Sequence, residues 1–447
     1  MKNSLLHDSF ENRDGILYFG GVNTVELAEK FGTPLFVYDQ ERIQSNINRV
    51  RRAFQSRYNE FLMLYAIKAM NNSRMLDVIA QKTDGADASR STEIELAQDA
   101  EFPMISYSGN FATNESLISG LKNADIINFD SIEAFQRLMN LIKNSKSSPP
   151  IPNSIKGPKL SPPKRITFRI NPGFGQGSFE NNVFAGHDAK FGIRHEDAVD
   201  AYKQAKEAGV EHFGIYMMTG SCVLDPSYFE KVTEKLLDIA GKIRKEVGIQ
   251  FEWINIGGGF GIPYRPDEKS LDIEKVAEKV IEMLRKKAEE YDLGHPTLMV
   301  EPGRYIVGDA GILLTTVQEV KNLSYQPYVG TDAGMNTLLR SVLYPTAYHD
   351  VLMANRMNAK PGKKRTIVGG ICENTDKIAR NRKIPTPKEG DILTFLCTGA
   401  YGFSMSFGFN TIPLDAEVLV RDGKAKLIRK RQTLKNMMSN VVPRENP

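Results

Sequence analysis

The sequence predicts an α/β protein, a (β/α)8 barrel joined to a mainly β domain. Three observations carry this. The 447 residues exceed what one ordinary core needs. From about residue 34 to 320, short apolar runs alternate with longer amphipathic stretches, as parallel βαβ units require. Beyond about residue 312 the runs become β-type, with few helical stretches between them.

The elements follow in order. LFVYD (35–39) reads as a strand and 42–53 as a helix; LMLYAIKA (62–69) is a strand and 72–81 a helix. GADAS, ISYSG and IINFD end strands before helices over 92–99, 115–122 and 132–143. RITFRINP, FGIYMM, WINIGGG and LMVEPGR continue the series, with helices over 196–208, 228–247 and 273–291. About eight repeats in this span suit a closed barrel, here expected over 35–311. Residues 1–34 and 312–447 are expected to form the β domain. Its runs are ILLTTVQEV, TIVGGIC, DILTFLCTGAY and AEVLVRDGKAKLI, with ILYFGGV near the N-terminus adding a strand. Asp422-Gly423 between AEVLV and AKLI suits a tight hairpin turn. Residues 144–163, rich in Pro, Ser and Lys, read as an exposed, mobile insertion in the barrel.

Composition excludes several classes. Net charge is +4, from 58 Lys+Arg against 54 Asp+Glu, too small and dispersed for a nucleic-acid footprint. There is no apolar run of about 18 residues, so no membrane span is expected. The first residues do not resemble a secretory signal. Cys222, Cys372 and Cys397 are far apart and the histidines scattered, so neither a disulfide framework nor a metal site is expected. A reduced cytoplasmic compartment follows.

Chemistry in a barrel sits at the C-terminal strand ends. These ends present Lys68, Asp87, Asn110, Asn171, Gly220-Ser221, Gly257-Gly258-Gly259 and Glu301-Pro302-Gly303-Arg304. Lys68 ends an apolar strand, where a charge is costly; it is a functional amine or a surface lysine just past the strand. The glycine run offers backbone N–H groups to a phosphate or simply makes a tight turn. EPGR is a site or a structural ion pair. A strand-end lysine, a glycine turn and a carboxylate in one barrel together suit pyridoxal 5'-phosphate.

The segments GTPLFVYD, YAIKA, SGNFATNESL, FRINPG, KFGI, INIGGGFGIPY, EPGRYIV, DAGMNTLLRSVLYPTAYH, GGICENTD and GAYGFSMSFGFN occur in this order over about residues 15–430. In this the chain resembles the fold-type III pyridoxal-phosphate-dependent amino-acid decarboxylases, and their diaminopimelate-decarboxylating branch most. The resemblance implies an alanine-racemase-like barrel, a β domain built from both chain ends, and a homodimer with shared active sites. Carried over residue by residue, Lys68 holds the cofactor and Glu301 pairs with its ring nitrogen. Asp87, Ser221, Gly258, Gly259, Gly303, Arg304 and Tyr401 also bind it. Arg304, Arg340, Tyr344, Glu373 and Tyr401 hold the amino-acid substrate. Cys372 returns a proton after carbon dioxide leaves, and Cys372 and Glu373 reach the partner's site.

The chain departs from the family where a GLHxHxGSQ-like segment is usual. Here it reads Gly214 to Cys222, GIYMMTGSC. Met218 replaces the histidine that stacks on the cofactor, Tyr216 an earlier one, and Met70 an asparagine. The implied reaction is decarboxylation of meso-diaminopimelate to L-lysine. Alternatives are a sister decarboxylase for another amino acid with a distal carboxylate or amide, and a non-catalytic cofactor-binding homologue.

Overall fold

The computed structural model describes residues 5–147, 160–177, 184–344 and 346–442. The chain divides into two compact units. One comprises Ile47–Gly261 and Leu271–Gly303; the other comprises Met1–Asn46, Ile262–Ser270 and Arg304–Pro447.

The first unit is the expected barrel. Eight parallel strands pair in a closed ring: Phe61–Ala66, Gly85–Ala88, Ile105–Tyr107, Ile126–Phe129, Arg165–Asn171, His212–Tyr216, Phe251–Asn255 and Thr297–Val300. Closure comes from Leu298 opposite Phe61. Both faces of these strands are covered, so they are apolar rather than alternating. Leu64, Ile126, Trp253 and Met299 pack in one cluster. The single tryptophan dictates a glycine beside it: a Cβ on Gly214 would lie 1.9 Å from Trp253 Nε1. That nitrogen donates to Thr167 Oγ1 at 3.0 Å, satisfying its one polar group.

Helices return the chain between strands. Pro226–Val247 begins at an Asp225 cap and stops at Gly248, which takes the left-handed conformation at φ 69°. Ile132–Ser147 runs into the expected 144–163 insertion, of which residues 148–159 lie outside the described residues.

The second unit is β-rich. The strand Gly311–Asn322 pairs antiparallel with Leu35–Asp39, Ile392–Phe395 and Pro327–Thr331. Leu35–Asp39, expected to open the barrel, therefore belongs to this sheet, with Ala416–Arg421 parallel on its other side. It is buried throughout, so it reads like a parallel barrel strand in sequence. Ala416–Arg421 and Lys424–Arg429 form the expected hairpin, with Asp422 and Gly423 both at positive φ. The N-terminal run contributes a small separate sheet of Phe10–Arg13, Ile16–Phe19 and Val22–Asn23. Leu17 N donates to Ala354 O and ties that sheet to the unit. Among the described residues no helix is long and apolar enough to cross a membrane, and no group of three or more metal-ligating side chains occurs.

Candidate active site

Lys68 sits in the single turn Ile67–Ala69 that ends the strand Phe61–Ala66. The turn is fixed from both sides. Tyr65 donates its hydroxyl to Met70 O, and Asn72 caps the next helix by accepting from Arg74 N. The Lys68 amine is paired with Asp87, on the neighbouring strand, whose side chain is fully buried. Lys68 is thus not a lysine merely beyond the barrel.

Beside this pair lies Glu301, at the end of Thr297–Val300. It accepts from Asn255 Nδ2 at 2.7 Å and is hydrogen-bonded by Tyr216. Burial, with the Asp87 charge second, pushes its carboxyl up to about 8, against the opposing pull of Lys68, Asn255 and Tyr216. Burial likewise pushes the Tyr216 hydroxyl well above its usual range. Burial therefore favours the neutral form of the Glu301 carboxyl.

The glycine turn packs against the same segment. A Cβ on Gly258 would lie 2.2 Å from Glu301 O, and one on Gly259 would lie 2.9 Å from Gly220 O. Gly257 and Gly259 also hold positive φ, so no other residue fits there without strain. These close approaches bring Gly258, Gly259 and Ser221 together. Gly303 packs on the lysine-bearing turn, its missing Cβ replaced by the methyls of Ala69 and Ala66. Met218 sits at the glycine turn, where its sulfur accepts from Gly258 N at 3.3 Å.

Arg169, Asn255 and Tyr216 take parts that no strand-end reading assigned. Arg169 is buried in the strand Arg165–Asn171. It donates to Met218 O at 3.2 Å and Phe184 O at 3.1 Å and lies 3.9 Å from Asp130. An arginine inside the apolar run ITFRIN was the available signal. Asn171 instead anchors a loop, accepting from Gly173 N and Gly186 N, and Asn110 accepts long contacts of 3.4 Å from Arg169 at its side chain and from Arg90 at its carbonyl.

The barrel residues fit pyridoxal phosphate. Asp87 Oδ1 is buried without a hydrogen-bond partner. The Gly258–Gly259 backbone has no room for a side chain, and Glu301 offers a carboxyl able to share a proton with a ring nitrogen.

The other predicted residues lie in the β unit. Arg340 is almost fully buried, not a solvated helix residue. Its guanidinium lies 3.9 Å from the Tyr264 ring centroid. Arg304 Nη1 donates to the hydroxyl of the same tyrosine at 2.5 Å and its guanidinium lies over Tyr401 at 4.7 Å. Tyr401 holds φ 56°. Tyr344 closes the short helix Arg340–Leu343. Cys372 and Glu373 are exposed on a loop held by buried Asp376, which accepts from Met335 N at 2.6 Å and Ile371 N at 3.0 Å.

Comparison with known proteins points to the same cofactor. Residues 42–308 match the family model of the pyridoxal-dependent decarboxylase, pyridoxal binding domain. The chain is similar to diaminopimelate decarboxylase of Methanothermobacter thermautotrophicus, 40% identical over 96% of both chains. It is 35% identical to that of Thermoplasma acidophilum over 98% of this chain and all of the other. A solved structure of diaminopimelate decarboxylase from M. jannaschii with L-lysine superposes with a TM-score of 0.85, at 31% identity over 98% of each chain. The paired lysine, the buried carboxyl and the glycine turn stand in a chain that belongs to the pyridoxal-dependent decarboxylases.

Proposed function

We propose that this enzyme decarboxylates meso-diaminopimelate to L-lysine in lysine biosynthesis. The observation that carries the reading is the near full-length likeness to diaminopimelate decarboxylases, which leaves neither chain with a large unmatched part. Pyridoxal phosphate supplies a carbonyl and an electron-accepting ring for the electrons of the breaking bond between the α-carbon and the carboxyl group.

The chain's own groups do the rest. Lys68 Nζ is the covalent anchor, and Asp87 keeps that amine in place. Glu301 would pass its proton to the ring nitrogen and pair with it as a carboxylate, which keeps the ring electron-poor. The N–H groups around Gly258, Gly259 and Gly303, with Ser221, Arg304 and Tyr401, receive the phosphate. Met218 occupies the place of the stacking histidine; a thioether contacts an aromatic ring favourably. Arg340 pairs with the distal carboxylate, aided by Arg304, Tyr344 and Tyr401, and Glu373 with the distal amine. Carbon dioxide leaves the α-carbon, and Cys372 donates the proton that replaces it. We assign the working form to a homodimer in which Cys372 and Glu373 complete the partner's site, and its location to the cytoplasm, which suits an exposed free thiol. The test is carbon dioxide and lysine release from meso-diaminopimelate, alongside lysine, ornithine and arginine as substrates. Faster release from any of those three would overturn the assignment.

A further inference from the structure

His349 is a buried residue that neither the strand-end rule nor the family resemblance assigns. It precedes the strand Val351–Met353, which pairs antiparallel with Ile392–Phe395, so its backbone is fixed. Both ring nitrogens are engaged. Nδ1 lies 2.8 Å from Leu396 O, and Nε2 lies 3.1 Å from Arg340 Nη1. A carbonyl oxygen only accepts, so the ring proton sits on Nδ1. The Nε2 lone pair then accepts from Arg340. Its ring also meets Tyr264 edge to face, with centroids 5.2 Å apart. The same Tyr264 presents its face to Arg340. The guanidinium is thus fixed in its plane by one ring and in rotation by the other.

We propose that His349 is the positioning residue for Arg340, holding its guanidinium in the orientation that receives the substrate's distal carboxylate. The inference rests on the substrate reading above. An imidazole suits this task better than a carboxylate. It accepts the same hydrogen bond yet adds no negative charge, so the guanidinium's charge is not neutralised before the substrate arrives. Burial and the neighbouring Arg340 hold the His349 imidazolium far below its usual range, which keeps the ring neutral.

The test uses the cofactor-loaded enzyme. His349→Asn keeps a donor near Leu396 O and removes the acceptor for Arg340; His349→Gln keeps an acceptor near the Nε2 position. We expect His349→Asn to raise KM for meso-diaminopimelate about tenfold or more with little change in kcat, since hydrogen bonds to charged groups are the strong ones. Affinity for pimelate, a dicarboxylate without amines, should fall by the same factor in calorimetry. His349→Gln should restore most of both. Added to Arg340→Ala, His349→Asn should cost nothing further, because its effect passes through that residue. Equal losses in the Asn and Gln variants, or full additivity with Arg340→Ala, would overturn the role. An unchanged KM in Arg340→Ala would instead overturn the substrate reading, and the inference with it. Should the variants not fold, 15N labelling of the six histidines decides on the wild-type protein: His349 must appear as the neutral Nδ1–H tautomer, and an Nε2–H tautomer refutes the proposal.

Discussion

Glu301 makes the stability of the cofactor-free protein depend on pH in a predictable direction. Its carboxyl moves from 4.5 to about 8 on folding, chiefly because burial disfavours its charge. Between those values the folded state binds a proton that the unfolded state does not. The stability this represents is fully present below about pH 4.5 and is lost as pH rises through about 8. Each unit in that window is worth about 1.4 kcal/mol. The loss between pH 5 and pH 8 is therefore at most about 4 kcal/mol, because the charges of Asp87 and Lys68 act on this carboxyl in opposite directions. Glu301→Gln keeps the side-chain oxygen that accepts from Asn255 and cannot ionise. Urea midpoints of the cofactor-free wild type should fall from pH 5 to pH 8, and those of Glu301→Gln should fall less. Other titrating groups cancel in the difference between the two proteins. With pyridoxal phosphate bound, the difference should shrink, because the ring nitrogen then shares the proton. Equal pH slopes for the two cofactor-free proteins would refute a carboxyl held protonated by burial.

Borohydride reduction of the cofactor-loaded protein, followed by peptide mapping, should place the pyridoxyl group on Lys68, and Lys68→Ala should take up none; a label on another lysine contradicts the assignment. Met218→His returns the family's usual residue and can still accept from Gly258 N, so it should bind pyridoxal phosphate at least as tightly by fluorescence titration. Weaker binding would mean the pocket has been reshaped around the thioether. Lys68→Ala and Cys372→Ala homodimers should each be nearly inactive. Co-refolded, they should recover about a quarter of wild-type activity, since half the dimers are mixed and one site in each is intact. No recovery, with subunit exchange verified, would place each site within one chain.

Much of the barrel was legible because its helices and strands differ in period and length, and Lys68, Glu301 and the glycine run all end strands. Leu35–Asp39 was misplaced for a physical reason. A strand flanked on both sides by others and buried on both faces shows no apolar–polar alternation, whatever sheet it joins. The nine residues Ile262–Ser270, which belong with the β unit, carry no local mark of that membership. Arg169, Asn255, Tyr216 and His349 were missed as partners because each acts on a residue 40 or more positions away or through a ring whose orientation only the fold sets. Arg340, by contrast, was identified by its place in a motif, while its burial came from the structure alone.

The loop that carries Cys372 and Glu373 shows where the entropy of ordering is met. Its two chemical groups are exposed, yet Met335 and Ile371 are both tied to one buried Asp376 carboxylate, against which the glycines at 334 and 369 fit only because they lack side chains. The loop therefore takes its shape when the chain folds, not when a second subunit or a substrate arrives. A preformed loop would lose little freedom in the proposed dimer, so more of the contact energy would remain to hold it. The price is intolerance: a methyl group at either glycine would press on the Asp376 anchor and loosen the loop that carries the thiol.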